Sequence, residues 1–380
     1  LFANRSIAKI MRLAKIYPAF RMRDGFENLE KNNSSFDQCI QAMTNGEAVC
    51  IMPEGGQGEK RRIQPLVKGI FRLAFEAQQH FGKEKIVKIV PVGIDMGDLI
   101  KSNKHLIINI GEAISIENEF ENFERNQAIT INVMRKKLRQ SLSELTRNLD
   151  TDNYYECFDT VCELMATNFE KTGNGESEVV GKFRIKQQTA KLLCQLEKST
   201  PEVVFEICKL SAKFEQQMDE LNFKTSIFNK LKSDKAGISA FFSLLITSPI
   251  FLFGFLTNAL PTFSPVWIRK AIDTEYNGFF SSIQFGLGML LFPAFYLVQT
   301  IIFHFSISGS IGLTIIFLVL QYFTRSFSLK WYSGLKILYH KLRFNHILSS
   351  DGEQSEKLHK AIELKNKIEH LLNSSKKSSI

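Results

Sequence analysis

The sequence predicts an α/β domain with a mostly parallel sheet flanked by helices, followed by a helical region and C-terminal membrane helices. Three observations carry this. Over residues 1–116, short continuous apolar runs alternate with segments of helical period, the pattern of a buried parallel sheet. Over residues 117–235, apolar positions recur every three or four residues. Beyond them lie two blocks without Asp, Glu, Lys or Arg: 33 residues at 236–268 and 49 at 276–324.

The elements follow in order. Ile7, Ile10, Met11 and Ala14 share a helical face, and residues 16–20 form a short apolar run. A second run, 48–52, ends at Pro53-Glu54-Gly55-Gly56 and reads as a buried strand. Residues 66–81 read as a helix with Ile70, Leu73, Ala74 and Ala77 on one side. Residues 86–94 and 105–110 supply a third and a fourth strand, the third rich in β-branched side chains. In the helical region, Ile131, Met134, Leu138, Leu142, Leu145 and Leu149 line one helix, with Arg135, Lys136, Lys137 and Arg139 on its wet side. Gly173-Asn174-Gly175 punctuates the chain as a loop. A further helix starts at Pro201, capped by Thr200, with Val204, Ile207, Leu210, Phe214, Met218 and Leu221 inward.

A membrane-spanning helix needs about 20 apolar residues. The 49-residue block holds two spans, at 279–304 and 308–323, with a turn at 306–312 and a kink at Pro293. The 33-residue block holds either one span or a shallow hairpin broken at Ser248-Pro249. Residues 328–380 form a basic tail of net charge +5, and basic flanks stay cytoplasmic. The favoured reading is a hairpin from the long block with the shorter block re-entrant or interfacial, because it keeps the tail and the α/β domain on the cytoplasmic face. The domain boundaries expected are therefore 1–116, 117–235, 236–327 and 328–380.

Composition excludes several classes. The chain has 380 residues, a net charge of +9 and 44% hydrophobic residues, which excludes a disordered chain. Six cysteines without Cys-x-x-Cys or a Cys/His grouping argue against a disulfide scaffold and a zinc site, and predict scattered reduced thiols in a cytosolic domain. Nucleic acid is not expected as a partner. The basic residues flank membrane segments and helix faces rather than interleaving with aromatics on strands. The first 13 residues carry Arg5, Lys9 and Arg12 and lack the apolar core of a signal peptide. The chain starts at Leu1, and the expectation is a longer N-terminus upstream.

Two segments suggest chemistry. In Ile51-Met52-Pro53-Glu54-Gly55-Gly56, an apolar run ends in a carboxylate and two glycines, followed by Lys60, Arg61 and Arg62. Glycines turn the backbone and present N–H groups to an anion, and the cations supply charge-assisted donors for a phosphate. An ordinary turn with a solvated basic face fits the composition equally well. In Tyr17-Pro18-Ala19-Phe20-Arg21, Arg21 can reach a phosphate at a strand edge, or pair with Asp24.

Together, in this order, the two segments resemble motifs of the glycerophospholipid acyltransferases, the 1-acylglycerol-3-phosphate acyltransferase family. Tyr17-Pro18-Ala19-Phe20-Arg21 is similar to the second motif. Pro53-Glu54-Gly55, with Gln64-Pro65-Leu66-Val67-Lys68-Gly69 ahead of a helix, is similar to the third. Ile89-Val90-Pro91-Val92 resembles the fourth, a strand lining the acyl site. More loosely, residues 251–258 and 288–293 are similar to a bacterial branch with a comparable C-terminal extension.

The first motif, His-x-x-x-x-Asp, does not precede the second here, so the resemblance implies a catalytic His and Asp upstream of residue 1 and an inactive fragment. His346 and Asp351 fit that spacing by letter but sit in the basic tail, and His80 and His105 have no Asp at that spacing. Where the family usually has Thr or Ser and then Arg after Glu-Gly, Gly56 and Gln57 stand, so phosphate contacts pass to Arg61 or Arg62.

The resemblance implies acyl transfer from acyl-CoA or acyl carrier protein to lysophosphatidate, with glycerol 3-phosphate as the alternative acceptor and a non-catalytic membrane scaffold as the alternative class. Arg21, Glu54, Gly55, Gly56, Arg61 and Arg62 would hold the glycerol-phosphate acceptor, and Pro91 and Val92 would line the acyl site. No metal or other cofactor is implied. Membrane lipids at the cytoplasmic face of the inner membrane complete the expected partners.

Overall fold

The structure, a computed structural model, describes residues 5–19, 31–56, 58–97, 105–169, 177–225, 228, 237–272 and 278–378. It is mostly helical. It divides into two compact units, Leu1–Asp95 with Ile108–Asn148, and Met96–Ile107 with Leu149–Ile380.

Chain order through the first part gives α1 (Arg5–Leu13), α2 (Lys31–Thr44), α3 (Gly69–Phe81), β1 (Lys88–Ile89), β2 (Val92–Met96), β3 (Leu106–Ile110), β4 (Ile114–Ser115), α4 (Phe120–Arg125) and α5 (Gln127–Leu145). The mostly parallel sheet expected from the sequence is not found. Among the described residues the strands form two two-stranded sheets, β1 with β4 and β2 with β3. The first is antiparallel, Ile89 opposite Ile114. The second is bracketed by Gly97 N–H donating to the His105 carbonyl (3.1 Å) and Gly111 N–H to the Pro91 carbonyl (2.9 Å), which is also an antiparallel register.

The reason for the difference lies in burial. Strands of a parallel sheet are covered on both faces. The run 48–52 joins no ladder, and Met52 at its end is 72% exposed. The expected strand 86–94 is interrupted at Pro91, which has no N–H to give a ladder, and becomes β1 and β2. The strand at 105–110 is β3, as expected.

The core of this unit joins Phe71 and Phe75 of α3 to Met134, Leu138 and Leu142 of α5. Phe75 stacks on Phe123 with ring centres 4.0 Å apart. Ile63 and Leu66, from the segment before α3, fill the same core. That is why the helix expected from residue 66 starts only at Gly69. Asn126 caps α5, its side-chain oxygen accepting from Ile129 N–H at 3.1 Å. The buried Gln78 amide donates to the Gly82 and Lys85 carbonyls and accepts from Val87 N–H, fixing the exit of α3 toward β1.

The second unit holds α6 (Tyr155–Met165), α7 (Glu178–Ser199), α8 (Pro201–Glu220), α9 (Gly237–Ala271), α10 (Phe279–Phe303), α11 (Ile311–Ser349) and α12 (Glu353–Ser378). α8 starts at Pro201 as expected. Thr200 supplies its carbonyl to Val203 N–H (3.1 Å) rather than a side-chain cap. The loop expected at 173–175 lies outside the described residues. Phe158 and Val161 of α6, Leu193 of α7, Ile207 and Phe214 of α8, and Leu358 and Ile368 of α12 share one core with Phe344 and Ile347 of α11.

Cys157 and Cys208 are joined in a disulfide between α6 and α8, which corrects the expectation of reduced thiols throughout. The helices bring the two Cα atoms to 5.3 Å, whereas 51 residues separate them in sequence.

Among the described residues, three helices are long and apolar enough to cross a membrane: Ser239–Ala271, Phe279–Ser308 and Ile311–Ser349. The break expected at Ser248-Pro249 is absent, and α9 runs through Pro249, Pro261 and Pro265. Pro249 has no N–H for the Leu245 carbonyl, and the Ser248 hydroxyl donates to that oxygen instead, at 2.8 Å. The helix of α10 continues through a π-helical stretch at His304–Ser308, and the break at Gly309, φ +62°, joins it to α11 within the turn expected at 306–312.

Candidate active site

The segment from Pro53 to Lys68 carries the third-motif residues, and its shape follows from a few bonds. Val67 N–H donates to the Pro53 carbonyl at 2.7 Å, closing the segment into a loop. Gly55 sits at φ +61°, and a Cβ there would lie 2.6 Å from Val67 Cγ1. Only glycine meets both demands. Gly56 faces open space, where a Cβ would come no closer than 3.8 Å to the Glu54 carbonyl.

The Glu54 carboxylate accepts from Gln64 N–H at 3.0 Å. Its visible work is therefore to hold the two halves of the loop together. The Gln64 side chain donates in turn to the Arg62 carbonyl at 3.3 Å. From the far side, the Arg139 guanidinium of α5 donates to the Ile63 carbonyl at 2.9 Å, and Ile63 N–H donates to Asn148 Oδ1 at 3.0 Å.

The loop separates its basic cluster into two roles. Arg61 turns inward and pairs with Asp95 of β2 at 2.8 Å, the two side chains being 25% and 10% exposed. Lys60 and Arg62 line a cavity of about 400 Å³ together with Arg139, Glu59, Gly58, Ile63, Gln64 and Pro65. Three cations against one carboxylate make it an anion-attracting cleft, and its size suits a small polar ligand.

Of the residues predicted from sequence, Arg62 lines this cavity, and Glu54 is bonded to Gln64, which lines it too. Gly55 and Gly56 form the adjoining turn, and Arg61 is engaged on Asp95. Pro91 is buried beside β2, its carbonyl held by Gly111. Val92 is 41% exposed and opens the strand that carries Asp95. Arg21 lies outside the described residues. His346 is exposed near the end of α11, and Asp351 follows that helix. His80, at the end of α3, and His105, ahead of β3, are both exposed.

Sequence reasoning missed Arg139, Asp95 and Asn148. Arg139 stands 76 residues from Ile63 and sits at a position that helical period assigns to water, so no local signal marked it. Among the described residues no cluster of His, Cys, Asp and Glu could hold a metal ion.

With this geometry in hand, comparison with known proteins adds one match. Residues 1–95 match the family model described as Acyltransferase. This supports an acyltransferase family for the segment, and acyl transfer in general as its chemistry. The matched segment is about a quarter of the chain and contains every cavity-lining residue except Arg139. No curated protein and no solved structure matches the chain.

Proposed function

We propose that the chain belongs to an enzyme that moves a fatty acyl group from acyl-CoA or acyl carrier protein to lysophosphatidate, working at the cytoplasmic face of the inner membrane in phospholipid synthesis. The observation that supports this most is the cavity of Lys60, Arg62 and Arg139 beside the Glu54 turn, in a segment that matches an acyltransferase model. A glycerol phosphate carries a dianionic head that such a cleft attracts, and Arg presents paired donors to phosphate oxygens.

The reaction balances without a metal or redox partner. The acceptor hydroxyl oxygen bonds to the acyl carbon, the carbon–sulfur bond breaks, and the thiol leaves with the proton. This chain's contribution is positioning, which can supply several kcal/mol of barrier reduction. Arg62, Lys60 and Arg139 hold the phosphate, with Arg21 as a further donor. Glu54 and Gly55 keep the loop that presents Arg62 in shape. Val92, exposed on β2 with Ile94, offers the acyl chain an apolar wall beside Pro91.

The test is an acyl-transfer assay of the full-length protein in lipid–detergent micelles with acyl-CoA and three acceptors. Lysophosphatidate should be acylated, and monoacylglycerol, which lacks the phosphate, should not. Preference for glycerol 3-phosphate would replace the acceptor. Transfer to none of them would leave the scaffold reading.

A further inference from the structure

We infer that residues 237–349 enter and leave the bilayer by the same face: α10 and the first part of α11 cross it, and α9 goes in only to mid-depth and turns back.

The side-chain pairings between these helices carry the inference. α9 pairs with α11 in antiparallel order. Leu244 accepts from the Trp331 indole N–H, Gly254 abuts Thr324 and Ser328, and Asn258 donates to the Gln321 carbonyl. α10 also pairs with α11 in antiparallel order, Phe292 against Arg325, Gln299 against Gln321 and Phe303 against Phe317. α9 and α10 are antiparallel too, with Asn258 against Tyr296 and Arg269 over Phe280. Three straight rods lying side by side cannot all be mutually antiparallel. The pairings close only if α9 is bent, its first arm lying along α11 and its second along α10.

The bend has a cause and a compensation. Pro261 removes the N–H that would bond the Thr257 carbonyl, and the Gln299 side chain donates to that oxygen at 3.0 Å. Asn258, one residue on, is buried and accepts from the Tyr296 hydroxyl at 2.5 Å. The polar groups of three helices thus converge where the backbone loses a bond.

Depths agree. Ile311 and Trp331 are 20 residues apart on α11, about 30 Å of helix, the thickness of the hydrocarbon core. Gln321, opposite Asn258, is halfway. Both tryptophans of the chain, Trp267 in the second arm of α9 and Trp331, then fall at one interface, where this side chain concentrates. Arg269, Lys270, Lys330 and Lys336 gather at that same face, and residues 304–310 at the other end have no Lys or Arg.

The core of the second unit demands the same parity. Phe228, before α9, packs on Phe344, near the end of α11, at 6.0 Å. α8 and α12, which precede and follow the membrane helices, share one core. An odd number of crossings would put these partners on opposite sides.

The experiment introduces Lys224→Cys, ahead of α9, and Lys270→Cys, Ile307→Cys and Asp351→Cys one at a time into the full-length protein. Each is labelled with a membrane-impermeant maleimide in sealed vesicles of either orientation, with the unsubstituted protein as the thiol baseline and detergent-opened vesicles as the reactivity control. Positions 224, 270 and 351 should react from one face and position 307 from the other. Labelling of position 224 from the face opposite 270 would show α9 crossing the bilayer and would overturn the inference. So would labelling of position 307 from the face of 351, or reaction of 270 or 307 only after detergent in vesicles of both orientations.

Discussion

Glu54 and the backbone amide of Gln64, ten residues apart, are joined at 3.0 Å, and this bond gives the third-motif loop its shape. The family resemblance assigned this carboxylate to the ligand. The geometry gives it a second task, since Arg62, one of the three cations that line the cavity, lies on the stretch of loop that Gln64 ends.

Gly55 is the hinge of that loop. Gly55→Ala should destabilise the first unit by about 1–3 kcal/mol, because the left-handed backbone and the contact with Val67 both penalise a methyl group. Adding Val67→Ala should return only the part owed to the clash. Thermal unfolding of the two variants measures the split, and full recovery in the double variant would refute the backbone contribution.

The adjacent arginines should differ in their effect on acceptor binding. Arg61→Ala leaves Asp95 without its partner and should cost about 1–3 kcal/mol of stability, with little change in acceptor KM once the protein is folded. Arg62→Ala should raise acceptor KM by roughly tenfold, about 1.4 kcal/mol of binding. Steady-state kinetics with the acceptor and the donor varied in turn decides this. An equal rise in both KM values would count against a phosphate role.

Gln299→Leu removes the donor that satisfies the Thr257 carbonyl in the bend of α9. The variant should be less resistant to denaturation in micelles by about 1 kcal/mol, while Gln299→Asn should lose less. A leucine variant as stable as wild type would show that the carbonyl finds another donor.

Lys357 on α12 pairs with Glu220 at the end of α8, at 2.8 Å. Hydrogen bonding and charge from Glu220, and then from Glu353, raise the Lys357 pKa, and Lys357 lowers that of Glu220. A depressed carboxyl stabilises the fold above its unfolded pKa, about 4.3, and that contribution fades as pH falls through its folded value. A raised lysine stabilises below its unfolded pKa, about 10.4, and fades as pH rises through its folded value. The melting-temperature difference between wild type and Lys357→Ala should therefore be largest between these limits and shrink at acid pH. A difference that stays constant down to pH 3 would mean that the lysine acts through packing alone.

The helices were legible because their signals are local. The three- and four-residue spacing of Ile131, Met134, Leu138 and Leu142 is a face, and Pro201 is a start. The uncharged blocks announced, by length and composition, helices long and apolar enough to cross a membrane. The sheet was not legible, because an exposed apolar run such as 48–52 has the composition of a buried strand. β4, at two residues, is shorter than any pattern. In the site, the glycine turn and the basic cluster were visible, but which arginine faces the cavity depends on Asp95, 34 residues away. The bend of α9 is written in its prolines only once Gln299 is seen against the Thr257 carbonyl.

The last helix has a consequence for biosynthesis. α12 supplies Leu358, Ala361, Leu364, Ile368 and Leu372 to a core whose first member in the chain, Leu149, is made more than two hundred residues earlier. The ribosome therefore delivers the long apolar helices α9, α10 and α11 before it delivers the piece that seals the bundle. Until then α6, α7 and α8 wait with an unsealed greasy seam, a state in which early release or truncation leaves the nascent chain open to aggregation and to quality-control proteases.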